Sequence, residues 1–100
     1  MDQFALLALM RAKTGKESAL EEFLVSARSI VVEETGTTTW YAVSLGDGQY
    51  GVFDTFANEN GRNTHLGGEV ARQLMAKASE LLAEPPVIQK LDILASKSAE

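Results

Sequence analysis

Two side chains stand out as able to move a proton. His65 is the only histidine of the chain, and Asp54 interrupts an apolar, β-branched run between Phe53 and Thr55. An imidazole titrates near neutrality, at about pH 6.5, so His65 could serve as a general base or orient an anion. The alternative is a capping or surface histidine one residue before the apolar Leu66. Aspartate is depleted in strands, so Asp54 is either a base or acceptor facing a cavity, or a carboxylate that only fixes the sheet. Around these two lie Trp40, Tyr41, Tyr50, Phe53 and Phe56. Such rings would line a cavity for a flat aromatic ligand, with the hydroxyls bonding its oxygens, or they pack a core and an interface. Arg62 would anchor an anionic ligand edge or occupy a solvated helix position, as Asn63 does, and Asn58 reads as a cap.

The rest of the composition removes other chemistries. The chain has 100 residues, 45% of them hydrophobic, which fits a single domain over residues 1–100. It has no cysteine, so disulfides, thiol nucleophiles and thiolate metal sites are excluded. With one histidine and no carboxylate cluster at ligand spacing, no metal site is expected. The net charge of −5 opposes binding to nucleic acid. The apolar run at residues 4–10 is too short to span a bilayer and is read as a buried strand, so a cytoplasmic protein without membrane contact is expected. The Gly46-Asp47-Gly48 turn lacks the strand-to-helix context of a phosphate loop.

The elements that must position these residues follow from periodicity. Residues 3–12 alternate with apolar side chains on both faces, a strand covered on both sides. Thr14 with Glu17 has capping-box spacing and opens a helix whose stripe is Leu20, Phe23, Leu24, Ala27, Ile30 and Val31, with Gly36 as its stop. Residues 37–45 and 50–56 read as strands around an Asp47-Gly48 type I′ turn. Counted straight from that turn, Tyr41 opposes Asp54, Thr39 opposes Phe56, and Trp40 opposes Thr55 on the other face. Residues 58–66 form a short polar helix ended by Gly67-Gly68. A longer one carries Val70, Ala71, Leu74, Met75, Ala78, Leu81 and Leu82 up to Pro85-Pro86. Residues 87–95 form the last strand, and residues 96–100 a frayed tail.

The resulting order, β-α-β-β-α-β with a split second helix, is the ferredoxin-like α+β plan: a four-stranded antiparallel sheet with helices on one face. The strands are apolar on both faces, and large bare apolar patches are rare on monomers. A second copy packed sheet against sheet is therefore expected, making a homodimer.

Several segments resemble the antibiotic biosynthesis monooxygenase superfamily of dimeric α/β barrels. They are AKTGKESALEEFL, TTTWYAVSL with YGVFDTF across the turn, GRNTHL, and LMAKASELLAEPPVIQKLDILASK. The resemblance implies cofactor-independent oxidation of a small phenol or quinol-like, polyketide-type aromatic in a cavity between sheet and helices. His65 and Asp54 would handle the proton, and Trp40, Tyr41, Tyr50, Phe56 and Arg62 would bind the substrate. The alternative is a non-catalytic dimeric module that holds a small apolar ligand. Haem-degrading relatives in the superfamily use a histidine on the long second helix and an asparagine on the first strand. Here those places hold Met75 and an unbroken apolar run from Phe4 to Met10, which disfavours haem.

Overall fold

A computed structural model describes residues 3–98, so the last two residues of the expected tail lie outside the described residues. Seven elements follow in the order β1 (Phe4–Arg11), α1 (Glu17–Val31), β2 (Thr37–Gly46), β3 (Gln49–Phe56), α2 (Glu59–Leu66), α3 (Glu69–Leu81) and β4 (Val87–Asp92). The strands form one antiparallel sheet in the order β2-β3-β1-β4. With the helices on one face, this is the ferredoxin-like plan.

The hairpin turn forms as expected. Asp47 and Gly48 both take positive φ, 53° and 76°, as a type I′ turn requires. The register beyond it does not follow the straight count. Gly46 pairs with Gln49, but Ser44 already pairs with Tyr50, so Leu45 is an extra residue in β2. Gly46, at φ 89°, supplies the positive φ such a bulge exploits. A one-residue slip exchanges the two faces of a strand. Trp40, not Tyr41, therefore opposes Asp54, while Tyr41 opposes Phe53. A second irregularity pairs Thr37 with Phe56 and Thr39 with Thr55.

Leu6, Ala8 and Met10 of β1 stand opposite Asp54, Val52 and Tyr50 on the face that meets the helices. On α1 the expected stripe is buried except Ile30, which is half-exposed. Its ends differ from expectation. Lys16 is the N-cap without a side-chain bond, because Thr14 and Gly15 spend themselves in a turn with Gly15 at φ 85°. The helix stops at Val31, well before Gly36.

α3 lies beside α1 and α2, and its Leu74 and Leu81 join the buried cluster that holds Met10 and Val52 of the sheet. Leu74 and Leu81 are buried, but Met75 is 59% exposed, because the stripe is wider than the surface α3 covers. β4 ends at Asp92, short of Ala95. The opposite face of the sheet presents Leu7, Leu9, Tyr41, Val43, Phe53 and Val87, several of them largely exposed. No helix of the described residues is long and apolar enough to cross a membrane.

Candidate functional site

A cavity of about 60 Å³ lies between the sheet and α3. Leu6, Ala8 and Val52 form its floor, Leu66, Val70, Ala71 and Leu74 its roof, and the exposed Ile88 of edge strand β4 its rim. The lining is apolar except at three residues: Trp40, Asp54 and His65. All three were singled out from the sequence, and the bulge at Leu45 brings Trp40 opposite Asp54 on this face.

α2 places His65. Asn58 caps the helix by accepting from the Gly61 amide at 2.8 Å, and the imidazole lies against Phe56 with ring centres 5.5 Å apart. Nε2 is 2.9 Å from Asp54 Oδ2, and Nδ1 is 2.6 Å from Glu34 Oε1. Glu34 also accepts the Thr37 hydroxyl at 2.7 Å. Burial works against the imidazolium, but the Asp54 and Glu34 carboxylates outweigh it and raise His65 above its usual range. The last turn of α2 adds favourable carbonyl dipoles. The imidazole is thus held between two carboxylates, an arrangement suited to keeping a positive charge beside Asp54. Separations of 2.6 and 2.9 Å also leave no room for an ion between the imidazole and either carboxylate.

Asp54 is 1% exposed, and its Oδ1 has no hydrogen-bond partner. Trp40 Nε1, directly across the ladder, is likewise buried without a partner. A bare acceptor and a bare donor at one cavity wall is a costly arrangement, since each unmet buried group costs ~1–3 kcal/mol.

The other expected residues lie elsewhere. Tyr41 is on the far side of the sheet, 58% exposed, as the bulge dictates. The Tyr50 ring is on the helix-covered face but outside the cavity lining, and its hydroxyl donates to Glu21 at 2.5 Å. That bond, then burial and the charges of Glu21 and Glu17, push its pKa up to about 12, so it stays a phenol. Phe56 is outside the lining of this cavity and packs against the His65 ring. Arg62 is 5% exposed, not solvated. Its Nη1 donates to the carbonyls of Leu91 at 3.2 Å and Ala5 at 3.4 Å, and its guanidinium covers the Phe4 ring, so it ties β1 to β4.

Glu34 carries no signal in the sequence. It sits in the irregular connection between α1 and β2, and reaches His65 because Gly36 and Gly61 let that connection touch α2 backbone to backbone.

The clamp has a measurable consequence. A group whose pKa is raised by folding contributes stability that is full below its unfolded value, about 6.5, and lost as pH climbs through the folded one. Thermal stability should therefore fall as pH rises above about 6.5 and through the raised folded-state value. The fall should be smaller in His65→Gln, as melting curves at each pH would show. As the only histidine, His65 also gives a single imidazole signal whose NMR titration should be displaced upward.

No family model matches the chain, and neither does any curated protein. Among solved structures, the protein NE2512 of Nitrosomonas europaea, of unknown function, is 46% identical with a TM-score of 0.96. The match covers 100% of this chain and 97% of that one. The chain belongs to the family of NE2512. The same fold recurs in Rv0793 of Mycobacterium tuberculosis, at 22% identity and a TM-score of 0.83, over 95% of this chain and 98% of that one. A candidate antibiotic biosynthesis monooxygenase of Caulobacter crescentus has it too, at 20% identity and a TM-score of 0.78, over 94% of this chain and 92% of that one. The NE2512 family thus shares its fold with structures named as candidate antibiotic biosynthesis monooxygenases, the superfamily that the segments resemble.

Proposed function

We propose that this protein is a cofactor-independent oxygenase acting on a small phenolic aromatic. One observation carries the reading: Asp54, whose Oδ1 is buried and unpartnered, lines a cavity that is apolar but for Trp40 and His65 beside it. Asp54 takes the phenol proton, and the negative charge passes from the carboxylate to the substrate oxygen. That charge stays beside the His65 imidazolium and the Trp40 N–H, in a site with little water to compete. The phenolate is the electron donor to dioxygen. A phenol with a free para carbon and one O₂ give a quinone and one water, so atoms and electrons balance without a reductant.

The cavity of about 60 Å³ is well below the ~150 Å³ of an engineered cavity that takes benzene. A ring enters only if α3 moves outward. α3 joins α2 through Gly67-Gly68, and that backbone freedom favours the movement. The test is oxygen uptake with 1-naphthol and anthrone in chelator-treated buffer. One O₂ per quinone formed supports the oxygenase. Saturable binding with no uptake overturns it and leaves the reading of a ligand-holding module.

The active unit in this proposal is a homodimer joined through the uncovered sheet face. Tyr41, Val43, Phe53 and Val87 are bare there, and Leu9 and Leu45 flank Gly51. Phe53 is 36% exposed and near the middle of this face. Burying a carboxylate without a partner costs several kcal/mol, so Phe53→Glu should weaken self-association by at least about a hundredfold. Sedimentation of both proteins reads this directly. A wild-type monomer at micromolar concentration would remove the dimer from the proposal.

A further inference from the structure

We infer that Trp40 Nε1 and Asp54 Oδ1 form a subsite for one neutral hydroxyl group, and that this subsite rejects carboxylates. The inference rests on reading this cavity as the ligand site, not on any oxygen chemistry within it. Trp40 and Asp54 are direct partners across the β2-β3 ladder, on the face that lines the cavity. Directly opposed side chains have Cβ atoms about 4.5–5.5 Å apart, so one small group can meet both. An indole N–H can only donate, and an ionised carboxylate can only accept. The complement of that pair is a group that accepts once and donates once from a single atom. A hydroxyl is the smallest such group. An ether accepts but leaves Asp54 unmet, and a ketone does the same. A carboxylate would set a second negative charge against Asp54 in a place where Glu34 already adds one to the clamp. His65 offers it no escape, because both ring nitrogens are committed.

The other groups that line the cavity are apolar, so the hydroxyl bearer must be apolar too. The predicted ligand class is therefore an uncharged phenol or compact alcohol, presented hydroxyl first.

Trp40 is the only tryptophan of the chain, so its indole N–H gives one NMR cross-peak at the subsite itself. Phenol, anisole and benzoate would be titrated into the whole protein under nitrogen. Phenol should move that peak saturably and bind about tenfold or more tighter than anisole, since hydrogen bonds to charged groups are the strong ones. Benzoate should leave the peak in place. In Asp54→Asn the preference for phenol should shrink and benzoate should gain. Trp40→Phe, followed by calorimetry, should lose about tenfold for phenol. Equal affinity for phenol and anisole overturns the subsite while leaving an apolar ligand cavity. Binding of none of the three overturns both. Because oxygen is absent, loss of turnover alone cannot produce either result.

Discussion

Asp54→Asn should leave the protein folded and reduce oxygen uptake with 1-naphthol by about 10²–10⁴-fold, the usual worth of a positioned base. The substitution keeps the shape of a side chain that is 1% exposed, so no cavity opens. It removes one of the two carboxylates that hold the His65 proton. A neutral imidazole then fits: Nδ1–H donates to Glu34, and the Nε2 lone pair accepts from the new amide. The folded state can therefore satisfy both residues without the charge, whereas the reaction cannot proceed without an acceptor for the phenol proton. Two readouts separate the effects. Melting at about pH 6 should fall modestly, because the ion pair is gone, and the pH dependence of stability should flatten. Turnover should collapse at every pH. Uptake within about threefold of the wild type would remove Asp54 from the role of base.

How much of this was legible in the chain depends on where the information sits. Local signals held. Asp47-Gly48 makes its turn, Asn58 caps α2, and the α1 stripe is buried almost throughout. What failed was the step from a correct turn to a register. One extra residue at Leu45 swaps Trp40 for Tyr41 at the wall of the cavity, and nothing in the run of β-branched and aromatic residues marks it. Both faces are apolar, so the alternation that normally reveals a slip is missing. Arg62 was misread for a related reason. On a polar helix its charge suggests solvent, yet its long stem and planar head can satisfy carbonyls at the ends of two strands. Glu34 was beyond sequence reasoning altogether. Its role depends on a contact between two irregular or short segments distant in the chain, which no spacing encodes. His65 was found by its type, but its pairing with two carboxylates was not, because Glu34 and Asp54 lie outside its helix in the chain.

That contact between segments makes the second large prediction. Gly61→Ala should destabilise the protein by about 1–3 kcal/mol, the scale of overpacking in a close-packed site. Helix propensity argues the other way, since alanine in a helix interior is favoured over glycine by ~0.5–1 kcal/mol. The local geometry decides between them. A Cβ on Gly61 would lie 2.7 Å from the Gly36 carbonyl oxygen, and a Cβ on Gly36 would lie 2.9 Å from the Gly61 Cα. Both neighbours are backbone and cannot swing aside as a side-chain tip would. Relief requires α2 and the α1–β2 connection to separate. For a domain of this size, ~1 kcal/mol corresponds to a melting shift of ~4–8 °C, so a drop of at least about 4 °C is expected, against a rise if propensity governed. The same separation draws Glu34 from His65, because Glu34 belongs to that connection. The His65 titration should therefore move back toward its ordinary value in Gly61→Ala. It should stay raised in Asn63→Ala, an exposed position on the same helix. Tight glycine packing and the protonation of the candidate site are thus one structural feature measured in two ways. A Gly61→Ala protein that melts higher and keeps the raised titration would dissociate them.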